Sequence, residues 1–269
     1  MRVISFNINS VRARLHQLEA IIATHQPDFI GLQETKVDDP QFPLAAIEDL
    51  GYHCIFHGQK SHYGVALLSK LPPLSVVKGF PTDTDDDQKR FVGGSFDING
   101  KIVHVYNGYY PQGDNLSHAT KFPAKRKFYS DLTKLMANHD LANEAVLLMG
   151  DNNIAPQDID IGIGADNQKR WLRTGKASFQ PIERDWLATL TGLGFVDSHR
   201  HLKPTSTALS WFDYRSRGFE RDPRTGLRID LILTSSYLTG GLKDSGIDYD
   251  IRAMEKPSDH APCWLELEL

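Results

Sequence analysis

The sequence predicts an α+β fold with layered sheets and helices. Apolar runs of strand length are mixed with a few amphipathic helical stretches, and many of the connections are short, as between antiparallel strands. This mixture favours α+β layers over a simple doubly wound sheet. No low-complexity tract, repeat or linker rich in Pro, Gly or Ser interrupts the chain, so we expect a single domain over residues 1–269.

Periodicity and turn residues place the elements along the chain. Apolar residues at helical spacing in LHQLEAIIATHQ (15–26) predict a helix that ends before Pro27. Asn99-Gly100 predicts a hairpin turn between two strands. Further helices are expected at about 122–139 and 181–193. The expected strands are 3–8, 29–32, 52–56, 64–69, 74–78, 91–97, 101–107, 145–149, a short segment at Phe195, 229–233 and 263–269.

Composition indicates an ordinary soluble protein. The 269 residues are 40% hydrophobic, which is enough for a large core. No apolar run approaches the length of a membrane span, and the N-terminus begins directly with strand-like alternation. Cys54 and Cys263 lie far apart in the sequence, outside any CxxC pair, which argues against a disulfide framework and a structural zinc. We expect a cytoplasmic protein with no membrane partner.

Charge is distributed unevenly. The net charge of -4 does not by itself indicate a nucleic-acid binder, but local basic surface can coexist with a negative total. Acidic residues gather in TDTDDD (82–87). Basic residues gather in KFPAKRK (121–127), NQKRWLRTGK (167–176) and DYRSRGFERDPRTGLR (213–228). The alternative is that each basic stretch is a solvated face of a loop or helix.

Polar side chains occur where the predicted strands end. The relevant residues are Asn7, Glu34, Asp151 with Asn152 and Asn153, Asp230, and the pair Asp259-His260 just before the last strand. Strand ends hold side chains on a rigid scaffold that is open to solvent, so sites are often built there. Oxygen ligands without a cysteine or histidine cluster suit Mg²⁺ or Mn²⁺, which bind carboxylates together with a substrate phosphate. The pattern therefore favours a metal-assisted phosphodiesterase.

Each residue also has a simpler interpretation. Glu34 could begin a helix, Asp151 could form an Asx turn, and Asn7 could be a turn residue. Tyr109 could pack in a loop, and His260 could be an ordinary surface histidine. The joint occurrence of these residues, in order and each beside an apolar strand, favours a site.

The ordered motifs resemble those of the exonuclease III family of bacterial abasic endonucleases, within the exonuclease–endonuclease–phosphatase superfamily. They are NINSVRAR (7–14), GLQETKV (31–37), HYGVALLSK (62–70), NGYYPQG (107–113), KFPAK (121–125), GDNN (150–153), DIGIG (160–164), KRWLRTGK (169–176), SWFDYRSRGF (210–219), GLRIDLIL (226–233) and EKPSDHAP (255–262). The resemblance covers essentially the whole chain.

The resemblance implies a four-layer α/β/β/α sandwich with two packed mixed β-sheets. It implies a magnesium-dependent enzyme, with Mn²⁺ as an alternative cation, that acts as a monomer on duplex DNA. The implied reactions are incision 5′ to abasic sites, 3′-to-5′ exonuclease action and removal of 3′-blocking phosphates.

Residue roles follow from the matching positions. Glu34 would be the principal metal ligand. Further metal-site positions are Asn7, Asp151, Asn153, Asp259 and His260. The catalytic positions are Tyr109, Asp151, Asn153, Asp230 and His260, with Asp230 paired to His260. The DNA-contacting positions are Arg90 and Lys121 on the backbone, and Trp211, Phe212 and Leu227 around the abasic sugar.

The sequence departs from the family pattern at three places. Asn152 replaces a residue that is commonly apolar, Ser10 replaces a glycine, and the arm at 220–226 is about two residues longer than expected from the resemblance. Because the arm lies near the DNA-facing loops that the resemblance implies, its length would affect the balance between exonuclease action and abasic incision. A lipid or inositol phosphoesterase of the same superfamily, and a DNA-binding protein without catalysis, are the alternatives. The basic, aromatic stretch 211–228 favours DNA, and the retained site residues favour an enzyme.

Overall fold

Two six-stranded β-sheets pack face to face in the computed structural model, which describes residues 1–269. The first sheet contains β1 (Arg2–Asn7), β2 (Phe29–Gln33), β3 (His53–His57), β4 (Val65–Ser69), β11 (Leu242–Ile247) and β12 (Cys263–Leu267). The second contains β5 (Ser75–Lys78), β6 (Phe91–Ile98), β7 (Lys101–Tyr109), β8 (Ala145–Asp151), β9 (Phe195–Asp197) and β10 (Asp230–Ser235).

Both sheets are mixed and share one pairing pattern. Their spatial orders are β11-β12-β1-β2-β4-β3 and β5-β6-β7-β8-β10-β9. In each sheet the central pair, β1 with β2 or β7 with β8, is parallel. Every other neighbouring pair is antiparallel. The chain therefore builds two similar sheets and packs them against each other.

Apolar side chains from alternate strand positions fill the space between the sheets, including Val3, Phe29, Leu67, Val105 and Leu147. Two further clusters lie on the outer faces, under the helices. Helices α1 (Leu15–His25), α2 (Leu44–Glu48) and α7 (Tyr249–Arg252) contribute to the cluster on the first sheet, and α3 (Lys121–Met136) and α5 (Pro181–Thr191) to that on the second. The predicted four-layer α/β/β/α sandwich is confirmed.

A polar contact joins the two sheets beside the site. The Asn107 amide donates to the backbone oxygens of Leu32 and Ala66 at 2.9 Å each, and its oxygen accepts from Gln33 at 2.6 Å. Gly31 permits this approach, because a Cβ there would lie 2.7 Å from the Asn107 side-chain oxygen. The sheets are thereby fixed relative to each other where the catalytic strands end.

Most predicted elements are confirmed within a few residues. The Asn99-Gly100 turn joins β6 and β7, with positive φ angles of 56° and 83°. Four helices and one strand were not predicted from the sequence: α2, α4 (Ala165–Thr174), α6 (Ser198–Leu202), α7 and β11. Three short 3₁₀ helices lie at Asp39–Gln41, Asp158–Asp160 and Ser236–Gly241. None of the helices combines the length and apolar character needed to cross a bilayer.

Candidate active site

The parallel strand pairs of both sheets deliver polar residues to one edge of the molecule. Asn7 ends β1 opposite Gln33 of β2, directly before Glu34. In the second sheet Tyr109 and Asp151 end β7 and β8 as register partners. Asp230 begins the antiparallel strand β10 opposite Asp151. Four of these positions were predicted from strand ends, and the structure brings them together.

His260 is held by Asp230. The imidazole Nδ1 lies 2.8 Å and 3.1 Å from the two Asp230 carboxylate oxygens, and both residues are almost completely buried. The Nε2 atom faces Asp151, 3.7 Å from its nearer carboxylate oxygen. Burial disfavours the charged ring, but Asp230 and Asp151 outweigh it and raise the pKa of His260 to about 10. His260 is therefore a cation aimed at Asp151.

Two serines fix the backbone of this pair. Ser210 Oγ accepts from the backbone N–H groups of Ile229 and Asp230, at 3.0 Å and 3.1 Å. Ser258 Oγ donates to the Asn7 carbonyl at 2.6 Å and accepts from the His260 N–H at 3.2 Å. The loop that carries His260 is thus tied to the end of β1 in the first sheet.

Asn7 bridges two carboxylates. Its Nδ2 donates to Glu34 at 2.9 Å and to Asp151 at 3.0 Å, while its Oδ1 accepts from the Asn9 backbone at 3.2 Å. Burial raises the pKa of Asp151 to about 7, against the opposing effect of His260. Asp151 can therefore gain or lose a proton near neutral pH.

Glu34 occupies a backbone conformation that non-glycine residues rarely adopt, with φ of 51°. Its second oxygen pairs with Lys36 Nζ at 2.8 Å, and Lys36 also donates to Asn9 Oδ1 at 2.6 Å. Although burial works to raise it, the pKa of Glu34 is held below its ordinary value by Lys36 and Asn7. Glu34 is thus an anion at neutral pH, and a strained turn presents it to the cleft.

Asp259 links the catalytic residues to the cleft wall. One of its oxygens accepts from Asn9 Nδ2 at 2.9 Å and the other from Trp211 Nε1 at 3.1 Å. The latter bond fixes the orientation of the indole ring. Asp259 and His260 lie in the loop before β12, as predicted.

Tyr109 is oriented by Arg90. The guanidinium lies over the rings of Tyr63 and Tyr109, 4.1 Å and 4.6 Å from their centroids, and donates to the Tyr109 carbonyl at 3.0 Å. Burial and the nearby Glu34 carboxylate raise the pKa of Tyr109 well above its ordinary value. Tyr109 is therefore a neutral phenol that can donate a hydrogen bond. Arg90 itself is mostly covered by the two rings.

Asn153 follows Asp151 in a left-handed turn with φ of 52°. Its N–H donates to Asp151 Oδ1 at 3.0 Å, and its Nδ2 donates to the Tyr110 carbonyl at 2.9 Å. Lys125, buried with its partner Glu183, donates to the Asn153 carbonyl at 2.9 Å. This support holds Asn153 at the cleft, where it is one of the lining residues.

A cleft of about 580 Å³ opens above these residues. Its floor is acidic, and four basic side chains from α4 and nearby loops also line it: Arg170, Lys176, Arg215 and Arg221. An apolar wall is formed by Trp211, Leu227, Ile229, Ile163 and Trp171. The arm at 220–226 contributes Arg221 and Gly226 to the lining, so the longer segment lies at the cleft.

Three predicted DNA contacts lie outside the cleft lining: Phe212, Lys121 and Arg90, which lies over the rings of Tyr63 and Tyr109. Phe212 has no exposed surface and packs with Leu209 and Ala261, because the residue after Trp211 points to the opposite side of the chain. It supports the wall from behind, and in this arrangement it cannot line a sugar pocket as predicted. Lys121 is exposed at the start of α3 and pairs with Asp114 at 2.9 Å.

The donor atoms of Glu34, Asp151 and His260 lie within 4.8 Å of one another, but the protonated His260 has no lone pair to offer a cation, so the candidate ligands are the two carboxylates. The two carboxylates suit a hard divalent ion. The four carboxylate oxygens of Glu34 and Asp151 already contact Asn7, Lys36 or Asn153, and each keeps a second lone pair that a cation could engage.

Several residues of the site were not singled out from the sequence. Lys36 and Asn9 bridge Glu34 and Asp259, and Ser210 holds β10. Lys176 lies over the Trp171 ring, 3.8 Å from its centroid. Lys176 and Trp171 belong to the motif KRWLRTGK, in which four basic residues surround one tryptophan, and this pattern was the signal that could have identified them.

Comparison with known proteins agrees with this geometry. The model of the Endonuclease/Exonuclease/phosphatase family matches residues 4–260. Exodeoxyribonuclease III of Haemophilus influenzae is 57% identical over 270 residues, and the alignment covers 100% of both chains. A 3′ phosphatase from Neisseria bound to a product DNA hairpin has a TM-score of 0.89 and 36% identity, with 100% of both chains covered. An AP endonuclease from Archaeoglobus fulgidus has a TM-score of 0.89 and 30% identity, again with 100% of both chains covered. The chain belongs to the endonuclease/exonuclease/phosphatase family.

Proposed function

We propose that this protein is a metal-dependent DNA-repair nuclease that hydrolyses phosphodiester bonds of duplex DNA. It would incise 5′ to abasic sites, act as a 3′-to-5′ exonuclease and remove 3′-blocking phosphates. The observation that carries the proposal is the buried array of Asp230, His260, Asp151 and Glu34 beneath a cleft with basic lining residues. Its relatives include an exodeoxyribonuclease III, a 3′ phosphatase and an AP endonuclease, which supports the same reactions.

Asp151 would orient and deprotonate the attacking water. One of its oxygens is held by the Asn153 N–H and the other by Asn7, so the carboxylate has a fixed direction. A pKa of about 7 matches a group that takes a proton near neutral pH.

Three donors would stabilise the charge that develops on the phosphate. The His260 imidazolium, the Tyr109 hydroxyl and the Asn153 amide all border the cleft. Fixed donors aimed at developing charge typically contribute about 10²–10³ each in rate. Asp230 acts through His260 by keeping the imidazole charged and oriented.

Glu34 would be the principal ligand of Mg²⁺, with Asp151 opposite it and Asn7, Asn153 and Asp259 nearby; Mn²⁺ offers similar oxygen chemistry. When bound, the cation would neutralise phosphate charge in the cleft. Lys36, which pairs with Glu34, would then either share that carboxylate with the cation or move away from it.

The apolar wall would select abasic sites. A nucleotide without a base loses less stacking when it leaves the duplex. Trp211 and Leu227, backed by Phe212 and Ile229, would enclose the bare sugar. Lys121 would contact the DNA backbone, and Arg90 would act mainly by orienting Tyr109.

One chain would suffice for catalysis, because residues 1–269 supply every wall of the cleft and both sheets contribute to it. We therefore propose a single catalytic domain that works as a monomer.

The test is cleavage of a duplex containing one abasic analogue, with Mg²⁺ or with chelator. We expect metal-dependent incision 5′ to the analogue, reduced at least about 10²-fold in Asp151→Ala and His260→Ala. His53→Ala is the control, because His53 is an exposed histidine on β3. Chelator-resistant cutting, or wild-type rates in Asp151→Ala, would contradict the proposal. Release of phosphate from an inositol headgroup, without cutting of DNA, would favour the lipid-type alternative.

A further inference from the structure

A second cluster of metal-binding side chains lies away from the cleft. His104, His139 and Glu144 each offer one donor atom, and these atoms lie within 4.8 Å of one another. All three residues are partly exposed, so an ion in solution could reach them. Glu144 and Asp151 stand seven positions apart on one extended stretch, so at about 3.3 Å per residue the cluster is roughly 23 Å from the catalytic carboxylate.

The fold brings these residues together from three segments. His104 lies on β7 between Val103 and Val105, which point into the inter-sheet core, so His104 faces the helix side of the sheet. His139 lies in the turn after α3, and Glu144 directly precedes β8. No local sequence spacing connects the three positions. The cysteine pattern, which argues against a structural zinc, does not reveal this cluster.

The hydrogen bonds of His139 resemble those of a histidine that binds a metal ion. His139 Nδ1 lies 2.7 Å from a Glu144 oxygen, and its Nε2 lies 2.8 Å from the Tyr106 hydroxyl. A histidine that binds a metal through one nitrogen usually engages a polar group with the other, which fixes the tautomer and the ring orientation. Tyr106 is in position for that role.

The two imidazole rings are neighbours, with centroids 4.7 Å apart and planes tilted by 57°. Two protonated rings at this distance would repel, whereas two neutral rings can share one cation. Ligand atoms around a tetrahedral zinc with bonds of about 2.0–2.1 Å are roughly 3.3 Å apart. Closing the cluster therefore requires movements of at most about 1.5 Å. The Glu144 side chain, 41% exposed, is free to make them.

We infer that His104, His139 and Glu144 form a second metal site that takes a transition-metal ion such as Zn²⁺. Two imidazoles and one carboxylate suit such ions, whereas the oxygen-rich catalytic site suits Mg²⁺. Three protein ligands leave a fourth position for water. The bound ion would fasten the turn after α3 to the first residues of β8 and to β7.

The experiment titrates Co²⁺, a spectroscopic substitute for zinc, into the full-length protein with excess Mg²⁺ occupying the catalytic carboxylates. We expect one Co²⁺ per chain with visible absorption typical of a nitrogen-containing site, and displacement of that Co²⁺ by Zn²⁺. His104→Asn and Glu144→Gln should each weaken binding at least tenfold, because each removes one of the three ligands. Circular dichroism and Mg²⁺-dependent DNA cleavage would show that both variants fold.

Two controls separate this site from the catalytic one. Glu34→Gln should retain the Co²⁺ signal, and His53→Asn should bind as the wild type does. Absence of Co²⁺ binding under excess Mg²⁺, loss of the signal in Glu34→Gln, or unchanged affinity in both His104→Asn and Glu144→Gln would overturn the inference.

Discussion

The charge on His260 should depend on Asp230, and the substitution Asp230→Asn isolates this dependence. The new side chain has nearly the same shape. The backbone N–H of residue 230 would still donate to Ser210, so the start of β10 should be preserved. What changes is the carboxylate charge at 2.8 Å from the imidazole Nδ1.

The expected fall in the His260 pKa follows from the distance between the two charge centres, which is longer than the 2.8 Å between the nearest atoms because both charges are delocalised. Two unit charges about 4 Å apart at an effective dielectric constant near 20 attract by roughly 4 kcal/mol. At 1.36 kcal/mol per pKa unit, this corresponds to about three units. The pKa of His260, which is about 10 in the intact pair, should therefore fall to roughly 7 in Asp230→Asn.

The assay is the rate of abasic-duplex cleavage as a function of pH at saturating Mg²⁺. If the imidazolium stabilises the phosphate, its contribution to activity is present below the pKa of His260 and is lost as pH rises through that pKa, whereas a loss of rate as pH falls below about 7 reports protonation of Asp151. The wild type should keep its activity up to about pH 9. The variant should lose activity around pH 7. At pH 8 it should be slower than the wild type by about 10²–10⁴, because the imidazole has lost its proton and the amide also disturbs the imidazole tautomer.

The decisive comparison is the alkaline side of the two profiles. If Asp230→Asn lowered the rate equally at every pH, Asp230 would orient His260 without setting its charge. If the variant retained the wild-type rate and profile, the pair would have no catalytic role. His260→Asn provides the reference, because it should be slow and should lack this alkaline transition.

Two further perturbations test the metal site and the support of the cleft. Glu34→Gln should weaken Mg²⁺ binding and lower the cleavage rate by about 10² or more at limiting Mg²⁺. The rate should recover in part at higher Mg²⁺. A rate equal to that of the wild type across the whole Mg²⁺ titration would show that Glu34 is not a metal ligand. Arg228→Met should destabilise the fold by up to about 3–5 kcal/mol in urea unfolding, because the mostly buried Asp197 loses its ion-pair partner and the fully buried Asp160 keeps Arg200 alone. The control Arg184→Met removes a surface pair with Asp158 and should change stability by at most about 1 kcal/mol.

The strand ends could be predicted because the local sequence contains the necessary information. The apolar run 145–149 ends in Asp151, and the strand through Ile30 and Leu32 ends before Glu34. The loop position of Asp259 and His260 followed from the strand that begins at Cys263. Such features depend on residues that are neighbours in the chain.

The missed features depend on tertiary structure. Helix α4 has no buried residue, so it lacks the apolar stripe by which helices are recognised. Strand β11 lies at the edge of its sheet and contains Lys243, Asp244 and Gly246. The orientation of Phe212 also depends on tertiary structure. The sequence does not indicate which of the adjacent aromatic residues, Trp211 or Phe212, faces the cleft.

The shared pairing pattern of the two sheets explains why the acidic residues converge. In each sheet the only parallel pair ends at the same edge, so the ends of β1, β2, β7 and β8 meet when the sheets pack face to face. Four carboxylates lie at this edge, and the side chains that neutralise them are chiefly the cations His260 and Lys36. The four are Glu34, Asp151, Asp230 and Asp259. Burial of these carboxylates, together with the repulsion of Asp151 by Asp230 and Glu34, raises the free energy of the folded state and keeps the pKa of Asp151 high. A divalent cation that binds only the folded chain relieves this repulsion, so the same charges that favour metal binding should make the stability of the fold increase with metal concentration.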